Sequence, residues 1–196
     1  MVKFNPNALT IFSLITGITA GAAFVATRLN SRYFLIAGAL VGLSGMADSL
    51  DGIVARMYDR VTRKGDFLDH FCDRLVDIAI ILGIAFSQGA HIILGFVLSL
   101  FVLLHSYLGT QIEATLGKRS YEGTGKAEFF VGLILFSVLA AVFPALSLEL
   151  AGEKYVPADF FLGILLFFTV LGLFGRFRRG MRACIERDNQ NDHGNG

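Results

Sequence analysis

Apolar and polar positions fall along this chain in blocks rather than in residue-by-residue alternation. Uncharged apolar runs extend from Ala8 to Ala26, from Ala90 to Leu108 and from Phe129 to Leu148. Each is close to the ~20 residues that carry a helix across a hydrocarbon core. Shorter runs cover Tyr33 to Ala47, Ile78 to Gln88 and Phe160 to Gly175. The pattern predicts an all-α integral membrane protein with six transmembrane helices. The second and third runs are short because they enter an acidic stretch, so they complete their spans only if their polar ends face the bundle interior.

Composition strengthens this reading, since 54% of the 196 residues are hydrophobic and 19 are Phe, beyond what a soluble domain of this size carries. Charge placement adds the topology. With the N-terminus inside, the inner segments hold Lys3, then Arg56, Arg60, Arg63 and Lys64, then Lys118, Arg119 and Lys126, then Arg176, Arg178, Arg179, Arg182 and Arg187. Only Arg28, Arg32, Arg74 and Lys154 of the 17 Lys and Arg residues fall elsewhere. The positive-inside rule therefore places both termini in the cytoplasm, in the cell (cytoplasmic) membrane. A net charge of +1 gives no reason to expect a nucleic-acid partner.

Residues 1–188 read as one six-helix domain without repeats, and "DNQNDHGNG" at 188–196 leaves residues 189–196 as a disordered tail. Cys72 and Cys184 read as ordinary thiols. The first helix is too long for a signal-peptide core and is expected to be retained. It starts at Pro6 and Asn7, with Asn7 as its cap or Thr10 in its first turn. Gly17 and Gly21 in "GITAG" fit a close helix contact.

The candidate chemistry lies between Asp48 and Asp73, "DSLDGIVARMYDRVTRKGDFLDHFCD". At helical spacing Asp48, Asp51, Gly52 and Ala55 share one face, and Gly65, Asp69 and Asp73 share a face of the next helix. A short inner turn joins the two, so the faces can meet. Four carboxylates aimed at one another need compensation to stay ionised, and all-oxygen ligation suits Mg²⁺ or Mn²⁺. Two such ions about 4 Å apart are the usual device of phosphoryl chemistry. Gly52, Ala55 and Gly65 leave room beside the acids, and Arg56 can neutralise a phosphate, so the groove suits a nucleotide diphosphate. Asp59, Asp66 and Asp77 read as a solvated helix cap.

The run Asp48-x2-Asp51-Gly52-x2-Ala55-Arg56-x8-Gly65-x3-Asp69-x3-Asp73 is similar, without a departure, to the signature of the CDP-alcohol phosphotransferase family. The resemblance implies six membrane helices with cytoplasmic termini, a homodimer, and transfer of a phosphatidyl-type group from a CDP-linked lipid to a polar alcohol with release of CMP. It further implies that Asp48, Asp51, Asp69 and Asp73 hold two divalent ions, that Asp73 is the base for the acceptor hydroxyl, and that Gly52, Ala55, Arg56 and Gly65 contact the nucleotide.

For the acceptor, family members using inositol phosphate or glycerol phosphate resemble one another in "SY" followed by basic residues two and four places on. Here Ser106-Tyr107 is followed by Gly109 and Gln111. Arg176, Arg178, Arg179, Lys118, Arg119 and Lys126 lie on the same side, so the candidate acceptor set is Ser106, Gln111, Lys126, Arg176 and Arg179. A phosphorylated polyol is favoured over a neutral or zwitterionic alcohol such as inositol or serine. "SYLGTQ" and "GTGKAE" resemble archaeal members acting on CDP-archaeol. An ion-coupled transporter is the rival class, but its carboxylates belong near the bilayer midplane on broken helices. A membrane prenyltransferase would carry its acids on two separate loops, and a purely structural subunit leaves the pattern unexplained.

Overall fold

The computed structural model of the chain describes residues 6–58, 62–117, 126–150 and 152–194, with side chains except at 6, 126–128 and 190–194. Lys3, Asp59, Arg60, Lys118 and Arg119 lie outside the described residues, as does the side chain of Lys126. Six helices appear among the described residues: α1 (Pro6–Ala26), α2 (Tyr33–Met57), α3 (Arg63–Ala85), α4 (Ile92–Leu116), α5 (Lys126–Val142) and α6 (Pro157–Gly194). Each apolar run thus nucleates one helix, and α6 continues through the stretch that composition alone leaves as a tail.

Within α1, α2, α4 and α6 there are segments long and apolar enough to cross a membrane, Asn7–Ala26, Tyr33–Met57, Ile92–Leu116 and Pro157–Asn189. α5 is shorter than its apolar run because Pro144 follows, which removes a donor and disfavours a helical residue before it. The chain then forms what hydropathy does not announce, an antiparallel pair of three-residue strands, β1 (Leu148–Leu150) and β2 (Glu153–Tyr155), turning at Gly152 with φ 84°.

α1 is the central element. It packs against both α2 and α3, while α4 pairs with α6 and α3, and α5 leans on α2. On the α2 side the fastening is polar: Ser13 Oγ donates to the Ser44 carbonyl at 3.0 Å, and Ser44 Oγ donates to the Ser13 carbonyl at 2.9 Å. On the α3 side it is steric. A Cβ at Gly17 would lie 2.6 Å from Val76 Cγ1, one at Gly21 would run into the Ala79 carbonyl, and one at Gly83 would run into the Gly21 carbonyl. The "GITAG" stripe is therefore a backbone-on-backbone crossing. Gly83→Ala is expected to lower stability by about 1–3 kcal/mol, the scale of overpacking, read as a lower thermal unfolding midpoint in detergent.

Phe24, Phe34, Phe136 and Phe161 tie α1, α2, α5 and α6 together, with Phe136 stacked on Phe161 at 4.5 Å. At the same end as the strand pair, buried Asp159 accepts from the backbone amides of His91 (2.7 Å) and Val156 (2.9 Å), and lies 3.1 Å from His91 Nδ1. The bond to Asp159 holds the His91 imidazole above its ordinary pKa. This joins the starts of α4 and α6.

Candidate active site

The acidic ends of α2 and α3 lie beside the first turn of α1. Asp51 is 6% exposed and accepts a 2.6 Å hydrogen bond from Thr10 Oγ1. From the Gly17–Val76 contact, equal steps back along α1 and α3 reach Thr10 and Asp69, so α1 sets Asp51 and Asp69 at one level. Asp48, Asp69 and Asp73 are half-buried. Buried Cys72 lies within electrostatic range of Asp69 and Asp73 on its own helix and of Asp51 on α2. The polar end of α2 turns inward at Asp51.

α3 begins where it does because Thr62 Oγ1 accepts from the Gly65 amide at 3.0 Å, a side-chain cap. A Cβ at Gly65 would meet Thr62 Oγ1 at 3.1 Å and Asn7 Oδ1 at 3.3 Å. The space beside Gly65 is thus bordered by polar oxygen atoms of the chain itself. At Gly52 a Cβ would lie 3.6–3.9 Å from the Arg56 guanidinium, so that cation folds back over the glycine one turn earlier. Ala55 is half-buried and Arg56 exposed.

On α3, one ligand atom from each of Asp69, His70 and Asp73 falls within 4.8 Å of the others. His70 is exposed and lies 3.7 Å from Asp66. Asp69 and Asp73 side by side on α3, with hydrogen-bonded Asp51 of α2 within electrostatic range of Cys72, offer oxygen donors of the kind that fit a hard divalent cation. Among the described residues no ligand atom of Asp48 or Asp51 joins that close group.

The candidate acceptor residues divide. Arg176 is half-buried, donates to the His105 carbonyl at 3.0 Å, and would lie 2.7 Å from a Cβ at Gly109. The small residue in the place of the family's first basic one is what admits this guanidinium. Gly95 packs on Ala85, and from that contact α3 runs to Asp73 over about 18 Å and α4 to His105–Gly109 over about 15–21 Å. Arg176 therefore stands at about the depth of Asp73. Ser106 is half-buried, Gln111 is exposed, and the Arg179 guanidinium folds back along its own helix, 3.4 Å from a Cβ at Gly175.

Four residues beside the site escaped sequence reasoning: Asn7, Thr10, His70 and His105. The signal for the first two was present, since residues three apart on a helix share a face, but polar groups at a helix start read first as caps.

Residues 3–174 match the family model for CDP-alcohol phosphatidyltransferase. The chain belongs to that family. Among relatives, it is 39% identical over 84 residues to the bifunctional IPC transferase and DIPP synthase of Aquifex aeolicus, covering 42% of this chain and 18% of that protein. It is 36% identical over 81 residues to the archaetidylinositol phosphate synthase of Pyrococcus horikoshii, covering 41% and 40%. The matched segments thus span less than half of either relative. The family's fold is shared with the crystal structure of Mycobacterium tuberculosis phosphatidylinositol phosphate synthase in its apo form, at a TM-score of 0.68 and 22% identity, covering 90% of this chain and 89% of that one. The chain is accordingly an integral membrane protein of a family of CDP-alcohol phosphotransferases.

Proposed function

We propose that this chain transfers a phosphatidyl-type group, diacylglycerol- or archaeol-phosphate, from a CDP-linked lipid to a phosphorylated polyol of the inositol phosphate class, releasing CMP. The observation that most supports this reading is the guanidinium of Arg176, held by the His105 carbonyl at about the depth of Asp73. Relatives named for inositol phosphate chemistry support the acceptor class. An acid-rich site repels a phosphorylated acceptor unless a cation receives it, and a half-buried arginine does so with paired donors.

In this reading the acceptor oxygen forms a bond to the lipid-bearing phosphorus, the bond from that phosphorus to the CMP oxygen breaks, and CMP leaves with the electron pair. Asp73 takes the hydroxyl proton, Arg56 offsets charge on the nucleotide phosphates beside Gly52, Ala55 and Gly65, and Arg176 orients the acceptor. Asp48, Asp51, Asp69 and Asp73 would hold two divalent ions, Mg²⁺ or Mn²⁺, whose chemistry is to neutralise charge on the diphosphate oxygens. Arg179, Lys126, Ser106 and Gln111 complete the acceptor set. All six helices cross the cell membrane with both termini cytoplasmic, the site opens on that side, and the chain works as a homodimer.

The test is release of CMP from CDP-diacylglycerol or CDP-archaeol in the presence of inositol phosphate. The expected result is acceptor-dependent CMP, abolished by exhaustive chelation and restored by Mg²⁺ or Mn²⁺. Activity that survives chelation would overturn the metal assignment.

A further inference from the structure

Hydroxyl groups on these helices have a local habit. Thr16, Thr19, Ser137 and Thr169 each donate to the carbonyl four residues earlier on their own helix, the usual outlet for a helical hydroxyl. Thr10 also reaches beyond its own helix. Its side chain, 5% exposed, donates across to Asp51 Oδ2 on α2. Asp51 is itself too deep for bulk water to orient it, so protein donors set the plane of its carboxylate.

We propose that Thr10 is a positioning residue: its hydroxyl holds Asp51 Oδ2 and so fixes the direction in which that carboxylate offers its lone pairs to a divalent ion. The inference rests on the metal reading above. Its physical basis is that hydrogen-bonded partners behind a metal ligand orient it and are worth about 10–100-fold in metal affinity. The stiff χ1 of a β-branched side chain suits the task, because a threonine in a helix has few rotamers to choose from. The same turn of α1 carries Asn7, whose Oδ1 borders Gly65 on α3. One turn therefore touches both acidic arms.

The test is a Mn²⁺ titration of the purified protein in detergent, followed by the electron paramagnetic resonance of the free ion, so that it reads binding without turnover. Thr10→Val removes the hydroxyl and keeps the branched shape; it is expected to raise the Kd for Mn²⁺ by about 10-fold or more. Thr10→Ser restores the donor and is expected to bind like wild type, and unfolding of both variants in chelator is expected to match wild type. Thr10→Ala serves if the valine variant does not fold.

Wild-type Mn²⁺ affinity in Thr10→Val, with loss in Asp51→Asn, would overturn the positioning role and leave the metal reading standing. Equal weakening by Val and Ser, with lower stability in chelator, would overturn it in favour of packing. No Mn²⁺ binding by the wild-type protein would sink both.

Discussion

Asp73→Asn is expected to cut turnover by at least about 100-fold, the scale of a lost general base, while CDP-lipid binding persists in part. The substitution keeps the size of the side chain and one ligating oxygen, but an amide cannot take a proton at neutral pH. Asp73 stands on α3 with a carboxylate oxygen within 4.8 Å of ligand atoms on Asp69 and His70. That position allows it to serve both an ion and the acceptor hydroxyl. Replacing Asp48, Asp51 or Asp69 by Asn is expected to behave differently, with metal and nucleotide binding lost together. The comparison requires CMP release and CDP binding measured on the same preparations. Turnover near that of wild type in Asp73→Asn would remove this residue from the base role.

The second large effect is expected at Arg176. Arg176→Ala should raise the KM for inositol phosphate by about 10–100-fold, since hydrogen bonds to charged groups contribute about 1.5–3 kcal/mol and 1.4 kcal/mol is a factor of ten. CDP-lipid affinity should stay near wild type. The guanidinium also joins α6 to the His105 carbonyl, so Arg176→Lys, which keeps charge without the fork, separates acceptor binding from helix pairing. An acceptor panel of inositol phosphate, glycerol phosphate, free inositol and serine, run with CDP-diacylglycerol and CDP-archaeol, decides the class. Robust use of free inositol or serine, undisturbed in the Arg176→Ala and Arg179→Ala variants, would refute the phosphate pocket.

Much of this architecture was legible because hydropathy reports helices directly: six runs, six helices. The acid faces were legible too, since Asp48 with Asp51 and Asp69 with Asp73 stand at helical spacing before any coordinates are known. What pairs across elements was not. Read alone, the hydroxyl of Thr10 has a local outlet at the carbonyls of its own helix, and its bond to Asp51 exists only once α1 packs on α2. The role of Gly109 was hidden for a related reason: a missing side chain reads as an absence, whereas the fold uses the gap to seat Arg176. The strand pair at 148–155 was invisible because three-residue strands are too short to show a period.

The crossing of α1 and α3 at Gly21 and Gly83 has a mechanical meaning for the chemistry. Where backbone meets backbone, no side chain can change rotamer to let one helix slide past the other. A slip of one residue there would move α3 by about 1.5 Å and turn it by about 100°, carrying Asp69 and Asp73 out of the register that α1 sets for them with Asp51. Gly83 lies ten residues from Asp73 on a single helix, about 15 Å away. The alignment of the acids is thus gauged at a remote apolar notch, and a methyl group added there would be felt as a shift of Asp69 and Asp73 relative to Asp51.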